Sequence, residues 1–112
     1  MLAKKHRFQG RRSIQRVYRA GQSRRGRMLS VRYLTTPKQP FRAAVVVSRK
    51  VHKSAVVRNR IRRRIYEILR ADYAAQLDGV QVIVTVFDAS LVALPAKELR
   101  RHIAHLFAKT QN

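Results

Sequence analysis

The chain has 112 residues, a mass of 13.0 kDa and 46% hydrophobic residues, which is enough for one compact domain and leaves no room for a second. It has no cysteine, which excludes disulfides and thiolate metal sites, and 26 Lys and Arg residues against five acids give a net charge of +21. The first acid is Glu67, so residues 1–66 carry 21 basic side chains and no carboxylate. Because a compact body with this charge repels itself, the composition predicts a polyanionic partner, most simply nucleic acid.

The sequence also bears on location. Its longest apolar run, residues 43–47, is far shorter than the roughly 20 residues that cross a bilayer. No secretory apolar segment is present, and cysteine is absent. We therefore expect a cytoplasmic protein without a membrane partner.

The first half of the chain predicts one helix and two longer strands. Residues 13–21 suit a short helix, in which Ser13 is the cap, Gly21 ends the helix, and three apolar positions share one face: Ile14, Val17 and Tyr18. Residues 22–27 suit a turn or a short edge strand. Residues 28–34 alternate as a strand with one apolar face: Leu29, Val31 and Tyr33.

Residues 41–50 predict a second strand, and the spacing predicts that it runs antiparallel to the first. Its run at residues 43–47 is apolar on both faces, which is typical of a central strand covered from both sides. A second, almost wholly apolar and β-branched segment, residues 80–87, is also expected to be buried in the sheet.

Two further helices follow from helical spacing of apolar residues. Ser54 is expected to cap a long helix that reaches about Leu77, with one stripe to bury: Val57, Ile61, Ile65, Ile68 and Leu69. Pro95 opens the last helix, whose buried face is predicted as Leu99, Ile103, Leu106 and Phe107. The fold class is therefore α+β, a single domain with one sheet and helices packed on it.

The densest chemical feature is the long helix at residues 58–64, which read Arg-Asn-Arg-Ile-Arg-Arg-Arg. On a helical wheel Arg60, Arg62, Arg63 and Asn59 lie away from the apolar stripe, and Arg58 and Arg64 lie at its margins. Guanidinium forks match phosphate oxygens in geometry and are weakly hydrated. The alternative is an ordinary solvated face, but such faces usually mix signs to form i, i+4 pairs, and this one does not.

These residues resemble a known family. The segments Phe41-Arg-Ala-Ala-Val-Val-Val-Ser-Arg-Lys50 and Ala55-Val-Val-Arg-Asn-Arg-Ile-Arg-Arg64 are similar to the protein subunit of bacterial ribonuclease P. Its hallmark is a strand ending in Ser-Lys-Lys or similar, followed by a helix that carries Arg-Asn-Arg. The resemblance runs over residues 4–107 and is specific in residues 41–66.

The resemblance implies a fold and a role. It implies an αβββαβα order, a mostly antiparallel sheet of about four strands with three helices, and a left-handed β-α-β crossover. It implies that residues 1–112 form one RNA-binding domain, with residues 1–12 as a flexible basic N-terminus. The catalyst would be an RNA that uses magnesium to remove the 5′ leader of precursor tRNA. The protein would assist with no catalytic or metal-ligating residue and no organic cofactor of its own.

Two groups of residues receive roles from the resemblance. Contact with the catalytic RNA is expected from Arg49, Lys50, Lys53, Arg58, Asn59, Arg60, Arg62 and Arg63. A cleft between the first helix and the sheet would hold the leader of precursor tRNA, lined by Phe8, Ile14, Tyr18 and Arg32. For Tyr18, a half-buried structural role beside Val17 is an equal alternative.

Other functions are weighed against this one. A ribosomal or other structural RNA-binding protein, with no part in RNA cleavage, explains the charge equally well but not the order of motifs. A DNA-binding protein is less expected, because an arginine wall recognises backbone rather than sequence. His102 and His105 have a spacing that can bind zinc, but only Glu98 could join them, which favours a surface or packing role.

Overall fold

The computed structural model describes residues 3–8, 10–75 and 78–108. Three helices and four strands follow one another: α1 (Arg11–Ala20), β1 (Gln22–Arg25), β2 (Leu29–Thr35), β3 (Arg42–Val46), α2 (Ala55–Asp72), β4 (Val80–Val86) and α3 (Ala96–Ala108). Two short 3-10 helices span Lys4–His6 and Ala89–Ala93. This order confirms the predicted α+β class and the αβββαβα arrangement. Among the described residues, no helix is both long and apolar enough to cross a membrane.

The four strands form one mixed sheet in the order β1-β2-β4-β3. β1 pairs antiparallel with β2, β2 pairs antiparallel with β4, and β3 pairs parallel with β4. β3 therefore runs opposite to β2, as predicted, but the two do not pair because β4 lies between them. Residues 80–84 and Val86 are buried, which confirms the predicted burial of this segment.

The prediction that residues 41–50 form a central strand is wrong. Only Arg42–Val46 is strand, it lies at the edge of the sheet, and the Val46 side chain is 39% exposed. The apolar run at residues 43–47 gives the wrong prediction because an edge strand in parallel pairing, packed on one face, differs little in composition from a central strand. Its open edge is partly covered by Arg7, which forms a parallel bridge to Ala43.

The main core lies on one face of the sheet. Alternate residues of β2 and β4 point into it, and α2 and α3 pack against them. The predicted buried faces of these helices are almost wholly confirmed. The four predicted positions of α3 are at most 2% exposed, as are Ile61, Ile65 and Leu69 of α2. Ile68 is 6% exposed, and Val57, at the first turn of α2, is half-buried.

The long helix α2 begins as predicted and ends early. Ser54 caps it, since its Oγ accepts a hydrogen bond from Val57 N at 3.3 Å. The helix ends at Asp72, not near Leu77, which lies outside the described residues. Tyr73 leaves helical geometry, and its ring packs 4.5 Å from that of Phe107, centroid to centroid. Packing onto α3 thus accompanies the end of the helix.

The first helix, α1, packs on the opposite face of the sheet through Val17, which has no exposed surface. Arg32 of β2 fixes its last turn: Nε donates to Val17 O at 3.2 Å and to Tyr18 O at 2.8 Å. The carbonyls at a helix C-terminus are unpaired and carry partial negative charge, which a guanidinium neutralises. At Gly21 a Cβ would stand 2.4 Å from Val17 O and 2.6 Å from Tyr33 O, so this close approach admits only glycine.

The N-terminal segment is fastened to β3. His6 is 7% exposed, and its Nδ1 lies 2.7 Å from Phe41 O. The next residue, Arg7, makes the bridge to Ala43. These contacts lie inside the segment for which the sequence predicts flexibility, residues 1–12, and that flexibility stays a prediction.

Arg64 joins α2 to the 3-10 helix Ala89–Ala93. Its Nη1 donates to Leu91 O at 2.7 Å and to Val92 O at 2.9 Å, and its Nη2 donates to Leu94 O. One guanidinium thus satisfies three carbonyls of the chain that follows β4. Among the arginines of residues 58–64, Arg64 is therefore a structural clamp.

We expect Arg64→Ala to lower the free energy of unfolding by about 1.5–3 kcal/mol, the usual contribution of hydrogen bonds to a charged group. Arg63→Ala on the exposed side of the same helix is the matched control, with an expected change within about 0.5 kcal/mol. Urea denaturation followed by circular dichroism measures both. Equal losses from the two substitutions would contradict the clamp.

Candidate nucleic-acid interface

One face of α2 presents cations to solvent. We call its four members the arginine face: Asn59, Arg60, Arg62 and Arg63. Arg60, Arg63 and Asn59 are exposed and Arg62 is half-buried, whereas Ile61 and Ile65 on the other side are at most 1% exposed. Burial of the apolar stripe therefore turns these side chains outward, as the helical wheel predicts. The side chains of Arg60 and Arg63 form no hydrogen bond with any other residue that the structure describes.

The side-chain groups of the arginine face that remain available to a ligand are mainly hydrogen-bond donors. Arg62 Nη2 donates to Asn59 Oδ1, one helical turn earlier. This bond uses the side-chain acceptor of Asn59 and leaves its amide N–H groups available, and an arginine carries no acceptor at all. A surface of N–H donors with positive charge is complementary to phosphate oxygens.

The loop before α2 adds three exposed cations: Arg49, Lys50 and Lys53. Arg58 shapes this loop, because its Nη1 donates to His52 O at 2.9 Å and to Lys53 O at 2.8 Å. His52 Nδ1 in turn accepts from Ser54 N at 3.0 Å, just before the helix begins. The structure thus brings the loop cations to the N-terminal end of the arginine face. It places Arg58, which is predicted to contact RNA, in part against the protein's own backbone.

Three of the five carboxylates have partners away from the arginine face. Glu67 pairs with Arg70, and this hydrogen bond lowers the pKa of the Glu67 carboxyl below its usual value. Asp72 Oδ2 lies 3.1 Å from Arg100 Nε. Hydrogen bonds from the N–H and hydroxyl of Ser90 lower the pKa of Asp88. Asp72 and Asp88 are thus engaged elsewhere, and Glu67, one turn after Arg63 on the same helix, is engaged by Arg70.

A second surface lies on the sheet face that carries α1. Cross-strand partners share a face, so the strand register defines rows of side chains across the sheet. One row lies beneath α1: Ser23, Arg32, Ile83 and Ala44. Ile83 in it is 1% exposed. The next row, which we call the open row, consists of Arg25, Ser30, Thr85 and Val46.

The open row continues into an aromatic side chain. Phe87 follows Thr85 by two residues, is 38% exposed, and has the Arg25 guanidinium carbon 4.5 Å from its ring centroid. The open row and Phe87 thus combine a stacked cation, two hydroxyls and apolar surface. Sequence reasoning overlooked Arg25, Val46 and Phe87. An aromatic two positions beyond Thr85 was a usable signal for Phe87, whereas Arg25 and Val46 depend on strand register.

The residues predicted to line the leader cleft lie around this surface. Arg32 is in the neighbouring row and also donates to Ser23 Oγ at 2.7 Å. Tyr18 is 46% exposed on α1, and Ile14 is half-buried one turn earlier. Phe8 is half-buried and follows Arg7, whose parallel bridge to Ala43 places it along the edge of β3. The four positions therefore border the same face of the sheet.

No group of three or more His, Cys, Asp or Glu side chains in the described part of the chain is placed to hold a metal ion. His102 is half-buried and His105 is exposed on α3, and both line a cavity between the β1–β2 hairpin and α3.

Comparisons with known proteins show the family and the fold. The Ribonuclease P family model matches residues 2–111. The ribonuclease P protein component of a Synechococcus strain is 35% identical over 113 aligned residues, covering 97% of this chain and 84% of that protein.

Solved structures show the same fold. The RNase P protein of Staphylococcus aureus superposes with a TM-score of 0.79 and 23% identity, covering 96% of each chain. The RNase P protein of Thermotoga maritima superposes with a TM-score of 0.79 and 21% identity, covering 92% of this chain and 96% of its own. With the match over nearly the whole sequence and this shared architecture, the chain belongs to the ribonuclease P protein family.

Proposed function

We propose that this protein binds the RNA subunit of ribonuclease P through its arginine face and the single-stranded 5′ leader of precursor tRNA through its open row. The observation that carries the proposal is the arginine face itself, a set of donors held outward on one side of a helix. Hydrolysis is assigned to the RNA subunit and its magnesium ions, as the resemblance implies. The protein's own part is to bind and orient.

Binding of the RNA subunit is supported by rigidity as well as by charge. Arg60 and Arg63 stand on a helix whose opposite side is buried, and Arg58 holds the adjoining loop at two carbonyls. The backbone of the helix and of the loop is therefore already ordered, and binding to phosphates has to order only the exposed side chains. A folded RNA, whose phosphates are also fixed, is the partner that gains most from such a surface.

Binding of the leader is supported by the mixed chemistry of the open row. Single-stranded RNA binds by stacking of bases on aromatic rings and by contact of its phosphates with cations. Phe87 and Tyr18 expose ring surface, and Arg25 lies against the Phe87 ring. The hydroxyls of Ser30 and Thr85, which are cross-strand partners, can donate to phosphate or ribose oxygens between them.

The first test is reconstitution. We expect this protein, added to a bacterial ribonuclease P RNA at low magnesium concentration, to restore removal of the leader from a precursor tRNA, because its cations replace part of the charge neutralisation that magnesium supplies. Gel analysis of the 5′ product measures the rate. A rate equal to that of the RNA alone would favour the alternative of a structural RNA-binding protein.

The second test concerns the arginine face. We expect affinity for the RNA subunit to fall about 10³- to 10⁵-fold between 50 and 200 mM salt if 6–10 phosphates are contacted. Arg60→Ala should weaken binding at every salt concentration and reduce the slope of log K against log salt by about one. Arg70→Ala is the matched control, since Arg70 is on the same helix but paired with Glu67. A salt-independent affinity would overturn the electrostatic contact.

The third test concerns the open row. Phe87→Ala and Tyr18→Ala should each mainly reduce the preference of the holoenzyme for substrate that carries a leader over substrate that lacks one. Loss of stacking on one base corresponds to about 1–3 kcal/mol. Dissociation constants for the two substrates measure the preference. A variant that weakens binding of both substrates equally would show that its side chain does not contact the leader.

A further inference from the structure

A cavity of about 690 Å³ lies between the β1–β2 hairpin and α3. Residues 25–29 form the hairpin side, and Glu98, Arg101, His102, His105 and Leu106 form the helix side. Pockets for small ligands or single nucleotides occupy about 300–1,000 Å³. Apart from Arg25, no residue of the arginine face or of the open row lines it.

The floor of the cavity is apolar and closely packed. Leu29 and Leu106 are each 2% exposed, and Met28 beside them is half-buried. At Gly26 a Cβ would stand 3.0 Å from Leu29 O and 3.5 Å from two methyl carbons of Leu106, so hairpin and helix are in contact at the base of the cavity. A flat apolar group can therefore rest on a preformed surface, with a polarisable thioether from Met28 and an imidazole from His102 beside it.

The rim of the cavity is cationic. Arg25, Arg27 and Arg101 are exposed there, and Glu98 is the one carboxylate among the lining residues that the structure describes. Three guanidinium groups against one carboxylate favour an anionic ligand. An apolar floor with a cationic rim matches a nucleotide, whose base is flat and whose phosphate is negative.

Arg25 connects this cavity to the open row. Its side chain lines the cavity and also lies against the Phe87 ring. The backbone joins the same two places, because Phe87 N donates to Met28 O at 2.8 Å. The floor of the cavity belongs to the face of the sheet that carries α3, so a strand of RNA that crosses the open row reaches the cavity by turning past Arg25 around the hairpin end of the sheet.

We propose that this cavity takes one unpaired nucleotide of the precursor leader, farther from the cleavage site than the nucleotides on the open row. The inference rests on the proposed function, since it extends the path of the same strand. The base lies on the floor beside Met28 and His102, and Arg27 and Arg101 bind the flanking phosphates.

The rim also predicts which bases bind. A carboxylate only accepts hydrogen bonds, so Glu98 can pair with the exocyclic amino group of cytosine, whereas the N3–H donor of uracil stands between two carbonyl oxygens that repel a carboxylate. We expect cytidine to bind more tightly than uridine at the nucleotide in the cavity. The preference should shrink in Glu98→Ala.

The main experiment measures dissociation constants of the holoenzyme for precursor tRNAs whose leaders grow from two to twelve nucleotides. The wild-type protein should show a gain of about 5- to 150-fold at the length that first reaches the cavity, which is the effect of stacking one base. His102→Ala and Arg101→Ala should lose that gain and bind the shorter leaders normally. Lys97→Ala removes a charge from α3 outside the cavity and is the matched control.

The outcomes separate this inference from the proposed function. If the gain is absent, or persists in both cavity variants, the inference is wrong, while protein-dependent binding of short leaders would leave the proposed function standing. If the cavity variants weaken binding at all lengths equally, the cavity does not hold a leader nucleotide. If the protein does not improve binding at any length, the proposed function itself is wrong.

A second measurement needs no substitution. A leader with 4-thiouridine at one position at a time is bound to the wild-type holoenzyme and irradiated, and the crosslinked peptides are identified by mass spectrometry. We expect one upstream position to crosslink to residues 26–29 or 102–106. Crosslinks confined to other peptides at every leader position would overturn the proposal.

Discussion

Burial of the α2 stripe against the sheet determines where the arginines of the same helix lie. Ile61, Ile65, Ile68 and Leu69 are at most 6% exposed. Each contributes about 1.5–3 kcal/mol by leaving water, whereas like charges one turn apart on a helix cost only about 0.2–0.5 kcal/mol per pair. Burial therefore outweighs the repulsion among the arginines several-fold. The helix that carries the arginine face is held in place before any RNA binds, so binding does not have to supply the free energy of ordering its backbone.

The arginines of this chain have two roles, and the surroundings of each side chain determine which role it has. Arg32, Arg58 and Arg64 donate to backbone carbonyls and hold α1, the loop before α2 and the segment after β4. Arg60 and Arg63 point to solvent. The wheel places Arg58 and Arg64 at the margins of the stripe but cannot show that carbonyls lie opposite them, because those carbonyls belong to segments distant in sequence or in a loop. Only tertiary contacts separate a structural guanidinium from one that can bind phosphate.

The sequence predicts those parts of the fold that depend on local patterns and not those that depend on tertiary contacts. Helical periodicity correctly predicts the buried faces of α2 and α3, since the pattern is local. The order of strands is not local: β3 and β4 are both apolar, and only the crossover through α2 puts β4 in the centre and β3 at the edge. The open row is the part of the site that the sequence predicts least well, because it depends on strand order. Val46 is expected to be buried, and it shares a row with Arg25, on the opposite edge strand, only through the register of four strands.

The sheet keeps the two proposed RNA contacts apart. α2 packs on the face that holds Val31 and Val82, whereas α1, the open row and Phe87 are on the other. The full diameter of a helix, about 10 Å, separates phosphates on the outer side of α2 from the sheet, so these phosphates and a strand on the open row lie more than a Debye length of about 8 Å apart at physiological salt. Their charges are then largely screened from each other. A permanent RNA partner and a passing leader can therefore occupy the protein together, and the excess of +21 serves both without competition between them.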